Sequence, residues 1–132
     1  MRVLLADPDW RFAEQTTEFL ESHAHLVVHQ PSPWAALEQV ARWQPDLVIV
    51  SAELASSGIL EHINEMPSRP AVLVTEHMDR FDRAWRAWQR GGDELFLKPI
   101  LQRDDLQTAV AAALRNAAAG TRTRVRQVAA SA

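Results

Sequence analysis

Five short apolar runs recur along the chain, and a segment with helical periodicity follows each of them. Runs of this length that are continuously apolar, rather than alternating, are typical of strands buried on both faces of a parallel sheet. Five strands that alternate with helices predict an α/β fold with a doubly wound, right-handed parallel sheet. The predicted strands cover residues 3–6, 26–28, 47–50, 71–74 and 95–97.

The segments between the runs predict five helices. In the first helix, Phe12, Thr16, Phe19 and Leu20 lie on one stripe at helical spacing. In the second helix, the stripe that we expect to be buried consists of Trp34, Leu37, Val40 and Ala41. Phe81, Trp85 and Trp88 share one face of the fourth helix, and we expect that face to pack on the sheet. The first helix lies between Trp10 and His23, the second begins at Ser32-Pro33 and ends at Pro45, the third covers Gly58 to Glu65, the fourth starts near Asp79 and ends at Gly91-Gly92, and the fifth opens with Asp104-Asp105.

Length and composition are those of one soluble domain. The chain has 132 residues, of which 47% are hydrophobic and 23% are charged, so it can bury a genuine core. It has no cysteine, which excludes disulfides and thiolate metal sites. No apolar run approaches the ~18 residues of a membrane span. We therefore expect a cytoplasmic protein with no membrane partner.

The charge is distributed unevenly. The last residues carry Arg122, Arg124 and Arg126 and no acidic side chain. Without these three, 11 basic residues face 17 acidic ones, a formal charge of −6. An acidic body with a short basic tail is not typical of a nucleic-acid-binding domain. We predict one domain over residues 1–118, followed by a flexible basic tail over residues 119–132.

Four polar side chains lie at the predicted carboxyl ends of strands: Asp7, Ser51, Thr75 and Lys98. In doubly wound sheets the ligand or chemical site lies at this edge, near the point where the strand order reverses. The sequence therefore places its candidate site at these four positions.

The stretches around these residues resemble the receiver domains of two-component response regulators over roughly residues 2–117. Receivers usually show an acidic cluster, a phosphorylatable aspartate, a Thr or Ser, and Lys-Pro at successive strand ends. The resemblance implies a flavodoxin-like sheet with strand order 2-1-3-4-5, and a cis peptide bond before Pro99. The matching stretches are Ala6-Asp7-Pro8-Asp9, Pro45 to Ser51, Leu73-Val74-Thr75 and Gly91 to Pro99.

Three departures from the receiver pattern affect its chemistry. Ser51 occupies the position of the acceptor aspartate, and a serine hydroxyl is a weak nucleophile without an adjacent base. Pro8 replaces the second acidic residue, so Asp9 either compensates for it or caps the first helix. Leu95 occupies the position of the usual switch aromatic, and Phe96 should point to the opposite sheet face.

In receivers, carboxylates bind Mg²⁺, and the metal and the lysine neutralise charge on the transferring phosphoryl group. The departures therefore predict a degenerate phosphorylation pocket without a catalytic residue or cofactor. Asp7 is either a residual Mg²⁺ ligand together with Asp9 or the ion-pair partner of Lys98. The predicted pocket consists of Asp7, Asp9, Ser51, Thr75 and Lys98.

These expectations favour a non-enzymatic, atypical receiver that binds a protein partner independently of phosphorylation. The partner is a kinase, an output protein or a second copy of the chain, and the resemblance implies a homodimer through the fourth helix, fifth strand and fifth helix. The fourth helix carries several arginines and tryptophans, which are residue types enriched at binding hot spots. The candidate interface residues are Arg83, Trp85, Arg86, Trp88, Arg90 and Leu95.

Two alternatives stay open at this point. A working receiver with displaced chemistry would use Asp9 or Glu53 in place of the lost groups. A small-ligand-binding domain would hold a nucleotide or an anion with Lys98, although the sequence has no glycine-rich phosphate loop.

Overall fold

The computed structural model describes residues 1–120 and contains one five-stranded parallel sheet. Its strand order is β2-β1-β3-β4-β5, so the predicted doubly wound fold with order 2-1-3-4-5 is confirmed. Each predicted apolar run forms a strand, although β4 continues three residues further than expected. The strands are β1 (Arg2–Ala6), β2 (Leu26–His29), β3 (Leu47–Ser51), β4 (Ala71–His77) and β5 (Glu94–Lys98).

Within residues 1–120, six helices flank the sheet, one more than the sequence predicts. The additional helix has four residues, which is too short to produce a recognisable apolar period. A 3₁₀ turn over Met78–Arg80 delays the start of the helix that was expected near Asp79. The helices are α1 (Trp10–Ser22), α2 (Pro33–Trp43), α3 (Ala52–Ala55), α4 (Ile59–Asn64), α5 (Phe81–Gln89) and α6 (Arg103–Ala119).

The core has two layers, one on each face of the sheet. Successive side chains of β1 point into opposite layers. Val3 and Leu5 pack with α1 and α6, whereas Leu4 and Ala6 pack with α2, α3 and α4. This alternation follows from the two-residue period of a strand. The inner strands are buried on both faces as predicted, but β2 is an edge strand and its Leu26 is exposed.

The prediction that Trp34 and Ala41 are buried is wrong. Trp34 is 71% exposed, whereas Val40 is buried as predicted and Ala36 is buried in addition. These two residues pack with Leu4 of β1, so α2 contacts the sheet through a small side chain. A small residue at the contact allows a helix to approach a sheet closely, and the bulky indole is left outside.

The expected packing of the aromatic face of α5 is also wrong. Phe81 and Trp85 are 51% and 43% exposed, and Trp88 is half-buried. The helix packs on the sheet through Ala84 and Ala87, its two buried residues. The sequence alone could not distinguish these faces, because an alanine stripe and an aromatic stripe both have helical spacing.

The carboxyl-terminal helix extends to Ala119, one residue past the predicted domain boundary. The predicted basic tail lies outside the described residues from position 121 onward. Within residues 1–120, no helix is long and apolar enough to cross a membrane. The Lys98–Pro99 peptide bond is cis, as the resemblance implies.

Candidate functional site

The carboxyl edge of the sheet brings the predicted polar residues together. Asp7 directly follows β1, and Ser51 and Lys98 end β3 and β5. Thr75 lies two residues before the end of β4, so its prediction as a strand-end residue is wrong. All four are buried, and strands β3 and β4 place Ser51 directly opposite Thr75.

Asp7 is the centre of this polar cluster. Its Oδ2 accepts hydrogen bonds from Lys98 Nζ at 2.8 Å and from Thr75 Oγ1 at 3.2 Å. Its Oδ1 accepts the backbone N–H of Asp9 at 2.9 Å. The side chains of Asp7 and Lys98 are only 1% and 4% exposed, so the ion pair expected between them is present and desolvated. Both carboxylate oxygens are therefore satisfied by the protein itself.

Of the two roles that the sequence left open for Asp9, the structure shows the helix cap, and it adds an ion pair with Lys98. Its Oδ1 accepts the Phe12 N–H at 3.1 Å and caps α1, while its Oδ2 lies 3.4 Å from Lys98 Nζ. Burial raises the pKa of Asp9, but the Phe12 hydrogen bond and the positive charge of Lys98 outweigh it, and His77 adds to them. The pKa therefore lies below its ordinary value. Asp9 is a charged cap that partly neutralises Lys98.

Ser51 is used as a helix cap. Its Oγ accepts the backbone N–H of Glu53 at 3.1 Å and so begins α3. Among residues 1–120 no histidine or other base contacts this hydroxyl, which leaves nothing to activate it as a nucleophile. The sequence contained the signal, a serine followed by an acid in the first helical turn, but α3 was too short to be predicted.

The residues at this edge do not fit a magnesium site. Mg²⁺ requires near-octahedral oxygen ligands, usually including carboxylates. Asp7 and Asp9 are already engaged by N–H, hydroxyl and ammonium donors, and Ser51 supplies a neutral hydroxyl that already accepts a hydrogen bond. No group of three or more His, Asp or Glu side chains in the described part of the chain is arranged to hold a metal ion.

Lys98 is also poorly suited to hold an anion. Its ammonium is paired with Asp7 and Asp9 and lies 4.4 Å from the centroid of the Phe12 ring. Two carboxylates and an aromatic face already balance its charge. The neighbouring cavity of about 380 Å³ is lined by Lys98, Asp9, Phe12 and His77, and also by the exposed side chain of Arg11.

A second ion pair, which the sequence did not predict, joins a buried glutamate to an arginine that is 34% exposed. Glu76 follows Thr75 in β4, is buried, and accepts hydrogen bonds from Arg83 Nε and from the His77 N–H. Burial raises the pKa of Glu76, but these two donors outweigh it, and the pKa lies below its ordinary value. The hydrogen bond to Glu76 raises the pKa of Arg83. An acid inside an apolar strand is the signal that could have predicted a cationic partner.

The six predicted interface residues lie on different surfaces. Trp85 stacks between Phe81 and Trp88, with ring centroids 6.3 Å and 4.9 Å apart, and these three rings form the aromatic flank of α5. Arg83, Arg86 and Arg90 instead line a cleft against α3. Leu95 is half-buried on the α5 side of the sheet, whereas Phe96 packs with α1 and α6 on the other side. The predicted opposition of Leu95 and Phe96 is therefore confirmed.

Glu53, named above as a possible replacement for the lost acceptor, lies in the first turn of α3. Its exposed side chain lines the cleft that contains Arg83, Arg86 and Arg90. Within residues 1–120, its one hydrogen bond to the polar cluster runs from the Glu53 backbone N–H to the Ser51 hydroxyl oxygen. This position does not favour Glu53 as a replacement phosphoryl acceptor.

Comparisons with solved structures show which fold this is. One similar structure is a signal receiver domain from Vibrio parahaemolyticus, with a TM-score of 0.74 and 24% identity over 91% of this chain and 94% of that one. Another is a response regulator receiver domain protein from Clostridium thermocellum, with a TM-score of 0.73 and 22% identity over 86% and 94%. A third is a response regulator signal receiver domain from Bermanella marisrubri, with a TM-score of 0.72 and 19% identity over 83% and 94%. No protein-family model and no curated protein sequence matches the chain. The chain thus has the receiver fold at low sequence identity.

Proposed function

We propose that the chain is an atypical receiver domain that acts in signal transduction as a protein–protein interaction module, independently of phosphorylation. The main support for this proposal is the structural role of Ser51. It stands at the end of β3, where receivers carry their acceptor aspartate, and its hydroxyl caps α3. The position therefore serves the local fold and offers no carboxylate for attack on phosphorus.

The rest of the polar cluster supports the same interpretation. Phosphoryl transfer depends on positioned cations that neutralise the transferring group. Here Lys98 is paired with Asp7 and Asp9, and Thr75 donates its hydroxyl to Asp7. These hydrogen bonds join β1, β4 and β5 at their carboxyl ends. The cluster therefore stabilises the edge of the sheet and leaves no charged group free for an incoming phosphoryl oxygen.

Partner binding is supported by the aromatic flank of α5. Phe81 and Trp85 are partly exposed and stacked on each other, and tryptophan is among the residues enriched at hot spots. A cavity of about 450 Å³ beside β5 and α6 is lined largely by apolar side chains, including Met78, Leu95 and Leu101. We propose a second copy of the chain as the partner, bound through α5, β5 and α6.

Phosphate incorporation tests the first part of the proposal. The chain is incubated with Mg²⁺ and labelled acetyl phosphate, and we expect no acid-stable or acid-labile label on the protein. The matched control is Ser51→Asp, which restores a carboxylate and keeps a good helix cap. Label on this variant alone would show that residue 51 is the reason why the unmodified chain is not phosphorylated. Stoichiometric label on the unmodified chain would overturn the proposal.

The oligomeric state tests the second part. Size-exclusion chromatography with light scattering should show a concentration-dependent dimer, and Trp85→Ala should shift it towards the monomer. The control is Trp34→Ala, which removes an even more exposed indole from α2 on another part of the surface. A monomer at all concentrations, or equal effects of the two variants, would exclude a homodimer through this face.

A further inference from the structure

A cleft between α3 and α5 is lined by three arginines. Arg83, Arg86 and Arg90 are spaced three and four residues apart, so they lie on one face of α5 and its C-cap. The opposite wall carries Glu53. Small side chains at Ala52, Ala55 and Ala87 line the rest of the cavity, whose volume is about 340 Å³. This surface is termed the arginine cleft below.

The lining of the arginine cleft is rich in guanidinium groups. Its three arginines face one lining carboxylate, that of Glu53, while Glu76 and Asp82 pair with Arg83 and Arg86 from outside the lining. Residues 1–120 as a whole are acidic, since 11 basic side chains stand against 17 acidic ones. A local positive surface on an acidic domain is therefore specific to this site and does not follow from the overall charge.

The three arginines differ in how firmly they are held. Arg83 is fixed by the buried carboxylate of Glu76. Arg86 pairs with Asp82 at 3.2 Å, but both side chains are largely exposed, and such pairs contribute little. Arg90 is exposed and makes no side-chain hydrogen bond or ion pair within the described residues. One guanidinium is thus oriented in advance, and two are available to a ligand.

Stabilisation of the helix dipole is a simpler explanation for part of this pattern. Cations near a helix carboxyl terminus are favourable, and Arg86 and Arg90 occupy that end of α5. It does not account for Arg83, which lies in the first turn. Nor does it account for the alanines of the cleft, which keep space open in front of the guanidinium groups.

We propose that the arginine cleft binds the phosphate group of a small molecule. A guanidinium group presents a planar fork of N–H donors that matches phosphate oxygens. Arg90, which has no carboxylate partner within residues 1–120, and Arg86, whose pair with Asp82 is exposed, supply such donors in the cleft. The volume is at the lower end of the range for small-molecule sites. This site is separate from the cluster around Asp7, and the proposal does not depend on the interaction function proposed above.

Calorimetric titration of the full chain tests the proposal. The probes are inorganic phosphate, pyrophosphate, AMP and ADP, each at the same total ionic strength. We expect saturable binding of at least one probe. Arg90→Gln should weaken it about tenfold, the effect of losing one charge-assisted hydrogen bond. Glu53→Gln should strengthen it, because it removes the only carboxylate of the cleft.

Arg42→Gln is the matched control, because Arg42 is an exposed arginine in the last turn of α2, outside the cleft. It should leave binding unchanged, and the melting temperatures of all three variants should show that each is folded. Preference for inorganic phosphate over AMP and ADP would identify the free anion as the ligand, and the reverse would identify a phosphate ester. The proposal is overturned if no probe binds saturably, or if Arg42→Gln weakens binding as much as Arg90→Gln does.

Discussion

Replacing Lys98 with methionine tests whether the polar cluster stabilises the sheet edge. Methionine preserves most of the unbranched stem that packs beside Phe12, so the main change is loss of the ammonium group. Asp7 would then remain buried, with its side chain 1% exposed and only the Thr75 hydroxyl and the Asp9 N–H as donors. A buried carboxylate without a cation is strongly unfavourable.

The expected size of the effect follows from the geometry. At the observed 2.8 Å, the attraction between the two charges is about 6 kcal/mol for an effective dielectric constant of about 20. The desolvation cost of Lys98, which the variant no longer incurs, offsets part of this attraction. Removal of one partner from a buried pair typically costs about 3–5 kcal/mol. We therefore expect Lys98→Met to lower the free energy of unfolding by about 4 kcal/mol.

Urea unfolding of four proteins at neutral pH measures this effect: the unmodified chain, Lys98→Met, Asp7→Asn and the double variant. The double variant should lose at least about 2 kcal/mol less than the sum of the single variants, because it leaves neither charge unpaired. The reasoning is refuted if Lys98→Met costs less than about 1 kcal/mol with an unchanged m-value, or if the two substitutions are additive.

Three further predictions concern other contacts. Ser51→Ala should lower the free energy of unfolding by about 1 kcal/mol in urea titrations, since it removes the cap of α3, and Ser51→Asp should not; equal losses would contradict a capping role. Glu76→Gln should cost about 2 kcal/mol at neutral pH, because it leaves Arg83 without its carboxylate. The pKa of Glu76 in the folded protein lies below its ordinary value of 4.5. The stability that the ion pair contributes is therefore complete above pH 4.5 and is lost as the pH falls through the folded pKa. The unmodified chain and Glu76→Gln should thus become equally stable in acid. A constant difference between them down to the acid transition would argue against the ion pair. Trp85→Ala should weaken self-association at least about tenfold in sedimentation equilibrium while changing unfolding by less than about 1 kcal/mol, and a large loss of stability would instead identify Trp85 as a core residue.

Several structural predictions depended only on local sequence and were confirmed. The inner strands were recognisable because a strand buried on both faces must be apolar at every position. The stripe of α1 was recognisable because Phe12, Thr16, Phe19 and Leu20 repeat with helical spacing. The position of the polar cluster followed from connectivity, since parallel strands place all their carboxyl ends at one edge.

The sequence predicted which residues form the candidate site, but it did not predict the role of each residue. The sequence placed Asp7, Ser51 and Lys98 at the correct edge of the sheet. It could not determine that Ser51 caps a helix, because a helix of four residues has no measurable period. Nor could it assign Asp9 to one role, since a cap and an ion-pair partner require the same residue type.

The amino-acid sequence by itself determined the doubly wound parallel sheet with its two-layered core and the edge at which the polar side chains meet, because these follow from apolar runs and chain connectivity. The strand order was implied by the resemblance of the motifs to those of receivers. Only the tertiary packing decided which face of each helix contacts the sheet. On α2 and α5, alanines contact the sheet and Trp34 and Trp85 remain outside, because the closeness of the helix to the sheet depends on both surfaces at once. The pairing of Glu76 with Arg83 and the arginine cleft are consequences of that orientation of α5, and no local pattern encodes them.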